Sequence, residues 1–157
     1  ADIFLVFDDE TVYGQHVFTV KFSRSPYHKP GSGSALFADA VADNEPVLDK
    51  AQERRERGTM SRTKPPKWSV TVPVRARAML LAGKTLFFAG PPDVVDPKDP
   101  LGAFEGRLGG KLWAVSTADG TKLAAYSLDA PPVFDGLIAA HGRLYIVLRD
   151  GTVRCWK

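Results

Sequence analysis

The chain has 157 residues, of which 44% are hydrophobic and 25% charged, and carries a net charge of +3. That composition excludes a disordered chain, and no apolar run approaches the ~20 residues of a membrane-crossing helix. A single cysteine, Cys155, excludes an internal disulfide and every multi-cysteine metal or haem motif.

At the start, Ile3 to Phe7 is an unbroken apolar run, which suits a strand buried on both faces. Asp8-Asp9-Glu10 turns the chain, and Thr11 to Val20 returns with β-branched and aromatic residues. A domain seldom begins one residue ahead of its most buried strand, so Ala1 reads as a boundary made by processing or trimming. No secretory signal pattern stands there, although a mature protein would have lost one. Residues 23–34, SRSPYHKPGSGS, are loop by composition. Tyr27 and His28 would make it a ligand loop; a solvent-facing connection is the plainer reading. Ser34 to Ala38 returns as a third strand.

Residues 44–58 are the one helix-like stretch. Asn44 can cap it, Pro46 suits the first turn, Gly58 can end it, and Glu53 and Arg57 form an i,i+4 pair. Few apolar residues hold it down, only Val47, Leu48 and Ala51. The positive charge is concentrated here: residues 50–67 hold seven basic and two acidic side chains, so the rest of the chain is near −2. Arg54-Arg55-Glu56-Arg57 could face nucleic acid or anionic lipid, but no aromatic residue stands ready to stack on bases. A solvated, charged insertion over 39–67 is the better reading, and no nucleic-acid partner is expected.

Trp68 to Val72 is strand-like, followed by Ala76 to Ala82 and Thr85 to Ala89. Arg75 and Arg77 precede an inner strand, where they could bind an anion or pair with carboxylates of neighbouring units. Residues 91–110, PPDVVDPKDPLGAFEGRLGG, form a long connection. Asp93, Asp96 and Asp99 could offer oxygens to calcium, but no Asp-x-Asp-x-Asp-Gly loop is present, and Asp beside Pro is a common turn former. Together with Phe104 they mark the first choice for a specific interaction, since binding concentrates on long loops of rigid scaffolds.

From Lys111 to Trp156 short apolar runs alternate with turn signals: Ala118-Asp119-Gly120, Ala130-Pro131-Pro132, His141-Gly142 and Asp150-Gly151. Asp-Gly between alternating apolar runs is a strong hairpin signal. Asp135 begins an inner strand and could face a central channel, or simply turn the chain with Gly136. His16, His28 and His141 lack any ligand spacing, and no nucleophile elbow or phosphate loop is present. No catalytic residue and no metal site is therefore assigned.

The chain repeats itself. A shift of 58 lays Trp68-Ser69 on Tyr126-Ser127, Pro73 on Pro131, Ala82 on Ala140 and Leu86-Phe87 on Leu144-Tyr145. A shift of 41 lays Leu112-Ala114 on Val153-Cys155, so one unit carries 17 extra residues, which fall in the connection at 91–108. Thr11-Val12-Tyr13 falls on Thr85-Leu86-Phe87 at a shift of 74. Repeats of a small β unit mean a stacked or radial architecture, and four short strands per unit favour a propeller. The expected fold is all-β, a partial β-propeller of antiparallel four-stranded blades, about 2.75 of them, with a charged, possibly helical insertion. Its units are 1–72, 73–130 and an incomplete 131–157.

Ala114 to Tyr126, with Gly120 at the turn, resembles the blade motif of quinoprotein-like (PQQ-like) β-propellers, roughly Ala-Leu-Asp-x-x-Thr-Gly-x-x-x-Trp. Ser116, Asp119 and Tyr126 depart from it, Trp68 keeps the motif's Trp one unit earlier, and Gly151 sits in an ending like that of a last blade. The resemblance covers roughly 68–156 well and 3–20 weakly. It implies that Trp68 and Tyr126 occupy equivalent places, buried between adjacent blades. It also implies an extracytoplasmic or periplasmic setting and, in members that bind cofactor, PQQ with calcium held by Glu, Asn and Asp. This chain has one Asn, Asn44, and one Cys, so the resemblance carries over the fold and leaves any PQQ and calcium to a larger parent protein. The expected function is a non-enzymatic scaffold or protein-interaction segment. Its partners would be further blades in the same or another chain, a second copy of itself, or another protein. A fragment of a quinone-dependent dehydrogenase and a glycan-binding propeller, through Tyr27 and Phe104, are the alternatives.

Overall fold

A computed structural model describes residues 4–16, 31, 33–42, 46–48, 60–62 and 64–157. In chain order, β1 (Leu5–Phe7), β2 (Thr11–His16) and β3 (Ser34–Ala40) pair antiparallel. A separate two-stranded hairpin follows, β4 (Pro46–Leu48) with β5 (Met60–Arg62). β6 (Trp68–Val72) then joins β3, which completes a first sheet in the order β1-β2-β3-β6. The second sheet holds β7 (Ala78–Ala82), β8 (Thr85–Gly90), β9 (Gly110–Ser116) and β10 (Lys122–Leu128), with one helical turn, α1 (Gly102–Glu105), between β8 and β9. The third has three strands, β11 (Pro132–Ala140), β12 (Arg143–Leu148) and β13 (Val153–Trp156). The expected strands 34–38, 68–72, 85–89, 111–117, 121–128 and 143–148 stand within two residues of these bounds at either end.

Two expectations change. The helix over 44–58 does not begin as read: Pro46–Leu48 is a strand paired with Met60–Arg62. Three apolar residues make too thin a stripe to hold a helix, and Pro is acceptable as the first residue of a strand. Residues 49–59, the Arg54–Arg57 patch among them, lie outside the described residues, as do Ile3, 17–20, Tyr27, His28 and Asn44. The second change concerns β1, which is not buried on both faces. Val6 packs inward, while Leu5 is 56% and Phe7 72% exposed, because β1 is an edge strand covered only on the side of the second sheet.

The sheets lie face to face over two apolar layers. Tyr13, Leu36, Ala38 and Val72 of the first sheet meet Met79, Leu86, Phe88 and Val115 of the second. The opposite side of the second sheet, Ala78, Ala89, Leu112 and Leu128, meets Leu137, Leu144, Ile146 and Leu148 of the third. Alternation along each strand sends successive residues to opposite layers, so Leu86 and Phe88 face one way and Phe87 and Ala89 the other. The sheets also converge on one side. Sheets packed in parallel at ~10 Å spacing would hold the first and third roughly 20 Å apart. Instead the rings of Phe4, beside β1, and Phe134, in β11, lie 4.7 Å apart. β7 touches both β1 and β11, so the first strands of the three sheets share an inner side from which the sheets fan outward.

Turns are set by Asp and Gly. The Oδ1 of Asp8 accepts from the N–H groups of Glu10 and Thr11, that of Asp119 from Thr121, and that of Asp150 from Thr152. Between β11 and β12, His141 and Gly142 both take positive φ, 50° and 68°, the pair of angles a two-residue I′ hairpin requires.

The link between the first two sheets is pinned by a buried amide. Gln15 donates from Nε2 to the Val74 carbonyl at 2.7 Å and accepts the Ala76 N–H on Oε1 at 2.8 Å; the Ser34 hydroxyl donates to the same carbonyl at 3.2 Å. Gln15→Ala leaves a buried N–H unpaired and the Val74 carbonyl with the Ser34 hydroxyl alone. It should cost about 2–3 kcal/mol in chemical denaturation; a change below about 0.5 kcal/mol would show the link is held otherwise.

The turn carboxylates make acid stability testable. Asp8, Asp119 and Asp150 sit below the ordinary carboxyl value because N–H groups bind the charged form, first those of Glu10, Thr121 and Thr152 respectively. A depressed carboxyl contributes stability above its unfolded value and loses it as pH falls through its folded value. The melting temperature should hold above about pH 5 and fall below about pH 4, and Asp119→Ala should flatten that fall in calorimetry.

Candidate functional site

The junction between the first and second sheets is built around Trp68. At the first position of β6, it lays its indole against the turn between β9 and β10. Nε1 donates to the Thr117 carbonyl at 2.9 Å, and Tyr13 lies 6.1 Å away, ring to ring. Gly120, at φ 74°, sits on the ring face: a Cβ there would come within 2.8 Å of Trp68 Cε3. Only glycine meets both demands, the left-handed backbone and the close approach. The Gly120 turn is therefore the lid that closes this junction.

Tyr126 holds the repeat-equivalent place in β10 but not the equivalent surroundings. It is 46% exposed and meets the ring of Trp156 at 6.2 Å. Among the described residues no turn like Thr117–Gly120 lies over Tyr126. In its place a groove of about 550 Å³ opens between the ends of the second and third sheets. Ala114 is buried on the side of β9 that faces the third sheet, and Gly151, at φ 87°, turns β12 into β13.

The outer face of the third sheet is the other open feature. Ile138 pairs with Tyr145 and Tyr145 with Cys155, while Val147 pairs with Val153. Ile138 is 59% and Val153 64% exposed. By the 58- and 41-residue shifts these positions repeat Leu80, Phe87, Ala89, Leu112 and Ala114, the side of the second sheet that the third one covers.

The inner-side candidates make internal contacts. Arg75 Nε donates to Asp93 Oδ1 at 2.8 Å; the Asp93 side chain is fully buried and also takes the Gly31 N–H at 3.1 Å, while its Oδ2 has no hydrogen-bond partner among the described residues. Arg77 donates to the Phe104 carbonyl at 2.8 Å and lies over the Phe104 ring, and Arg149 reaches the neighbouring Glu105 carbonyl at 3.2 Å. Burial, and then the charge of Arg149, push the Arg77 guanidinium below its usual value. The two arginines thus tie α1 to the inner ends of the second and third sheets. Asp135, exposed and at φ 55°, sits in an irregular stretch of β11 and donates its N–H to the Arg77 carbonyl.

The three aspartates of the long connection do not converge. Asp93 points to Arg75, Asp96 accepts from the Lys98 N–H, and Asp99 pairs with Arg107, which Glu105 also holds. Among the described residues no three of His, Cys, Asp and Glu come together as metal ligands. Phe104 is exposed on α1, and among the described residues no helix is long and apolar enough to cross a membrane. The sequence pointed to none of Gln15, the open groove or the unpaired Asp93 oxygen. A polar residue inside an alternating strand was the only available sign of the first.

A scan against models of known protein families finds no match, and a comparison with curated protein sequences finds none either.

The two aromatic positions should separate energetically. Trp68→Ala removes a ring packed against two sheets and should cost about 3 kcal/mol. Tyr126→Ala, at a half-open site, should cost less than about 1 kcal/mol. Equal losses in urea titrations would mean the groove is closed in solution.

Proposed function

We propose that this chain is a non-enzymatic segment of a β-propeller of the quinoprotein-like kind, working as a scaffold that presents sheet surfaces to other polypeptides. The observation that carries this is the outer face of the third sheet, whose apolar positions repeat those that make a buried sheet-to-sheet contact one unit earlier. A face that is core in one copy of a repeat and bare in the next is built for a neighbour. The repeat, the four-stranded antiparallel units and their convergence on one inner side support the propeller reading. The contacts of Asp93, Asp96 and Asp99 do not fit a calcium and quinone site, so no redox step is assigned to these residues. The extracytoplasmic setting rests on the resemblance alone.

The purified chain should associate at micromolar concentration in sedimentation velocity and light scattering. Ile138→Lys with Val147→Lys should return it to a folded monomer, because burying two unpaired charges opposes the contact. A parent chain that stays monomeric on concentration, or dehydrogenase turnover on added quinone and calcium lost with Asp93→Asn, would overturn the reading.

A further inference from the structure

Two arginines meet at the inner ends of the second and third sheets. Arg77 stands just ahead of β7, and Arg149 just after β12. Their backbones are fixed there. Arg77 donates its N–H to the Ala89 carbonyl and accepts the Asp135 N–H on its own carbonyl, while Arg149 donates its N–H to the Pro131 carbonyl. α1 brings the two side chains to one place. Gly106 ends that helical turn at φ 92°, so close to Pro131 that a Cβ would come within 2.7 Å of its ring. The last carbonyls of a helix lack intrahelical partners. Here two consecutive ones, of Phe104 and Glu105, accept from Arg77 at 2.8 Å and from Arg149 at 3.2 Å. Arg77 feels the Arg149 charge, which is, after burial, the second cause that holds its guanidinium below the usual value.

The pair has contacts but no counter-charge. A guanidinium offers a fork of N–H donors, and each arginine uses one of them on a carbonyl, a group with no net charge to offset its own. Among the described residues no carboxylate pairs with either. Asp99 and Glu105 hold Arg107, Asp129 holds Arg154, Asp150 takes the Thr152 N–H, and Asp135 meets Arg77 through its N–H alone. Two unneutralised cations side by side repel, and a dianionic oxyanion offsets both, with oxygens that match the guanidinium fork. The Phe104 ring, 5.9 Å from the Arg77 guanidinium and 60% exposed, adds an apolar wall beside them. Every part of this arrangement lies within residues 77–149.

We infer that Arg77 and Arg149 form a binding site for a phosphate group, held between the two guanidiniums where the second and third sheets meet α1. The site goes beyond the scaffold reading and does not depend on it.

The test is an NMR titration of the full, isotope-labelled chain with sodium phosphate near neutral pH, following the arginine Nε and Cζ signals. Saturable shifts of Arg77 and Arg149 are expected at millimolar phosphate, with Arg107, already held by two carboxylates, unmoved. Arg149→Gln keeps a donor for the Glu105 carbonyl and removes the charge. It should weaken phosphate at least about tenfold and leave the fold intact, whereas a role confined to capping α1 predicts no response to phosphate in either chain. Acetate, a monoanion, should bind severalfold more weakly than phosphate. Phenyl phosphate separates two sources of the group. Binding tighter than that of inorganic phosphate, and lost with Phe104→Ala, assigns the site to a phosphate ester whose organic part lies on Phe104; weaker binding assigns it to the free ion. No saturable shift at tens of millimolar phosphate, equal binding of acetate, or unchanged affinity in Arg149→Gln would each overturn the proposal.

Discussion

The second sheet is apolar on both faces, and the rest of the structure answers that constraint. Leu86 and Phe88 on one side of β8, and Phe87 and Ala89 on the other, cannot both be hidden by a single layer. A two-sided sheet must be sandwiched, so the chain places one sheet on each side of it. At roughly 25 cal/mol per Å² of apolar area removed from water, the two layers outweigh any single polar contact in the molecule. The same alternation extends outward. Where another sheet lies over it the face is core, and at Ile138 and Val153, which no described residue covers, the face is exposed.

Sandwiching creates a second problem, because the chain must cross from sheet to sheet without stranding its backbone. The stretch from Pro73 to Arg77 belongs to no strand, yet Val74 and Ala76 are buried. Its groups are satisfied one at a time. Gln15 and Ser34 serve Val74 and Ala76, the Arg75 N–H goes to the Pro91 carbonyl, and the Asp93 N–H goes to the Pro73 carbonyl. The Arg75–Asp93 ion pair then ties the 91–110 connection to the crossing. A buried pair of this kind contributes little net stability, but it fixes one arrangement, since removing either partner strands the other.

These two solutions engage the side chains of the long connection in internal contacts and leave sheet surfaces exposed. Asp93 and Asp99 spend their charges on internal partners, which leaves them little for a ligand. The third sheet, by contrast, exposes an apolar face, a surface that sheets use to take neighbours. Its turns and inner side are fixed by Asp150, Gly142 and the Asp135 N–H on Arg77, so what it presents is a rigid template.

The sequence by itself determined most strands from 68 onward, their turns and their grouping into units; β11 is the exception, since it runs from Pro132 and holds Asp135 in its interior and not at its start. Those depend on local causes: period-two alternation, Asp and Gly at turns, and a repeat that can be read by shifting the chain on itself. It also placed Trp68 and Gly120 in the same motif, though not that one lies on the other across two sheets. It misread Pro46–Leu48 as the start of a helix, where caps and charge pairs at helical spacing outweighed in the reading a lack of apolar residues to anchor one. It treated Trp68 and Tyr126 as equals because a repeat records what each unit carries, not what lies next to it. Whether an aromatic is buried depends on the following unit's turn, and burial of Asp93 or Gln15 depends on where a distant carbonyl or guanidinium comes to rest. Such contacts join residues 18 and 59 positions apart, and only the folded chain brings them within hydrogen-bonding range.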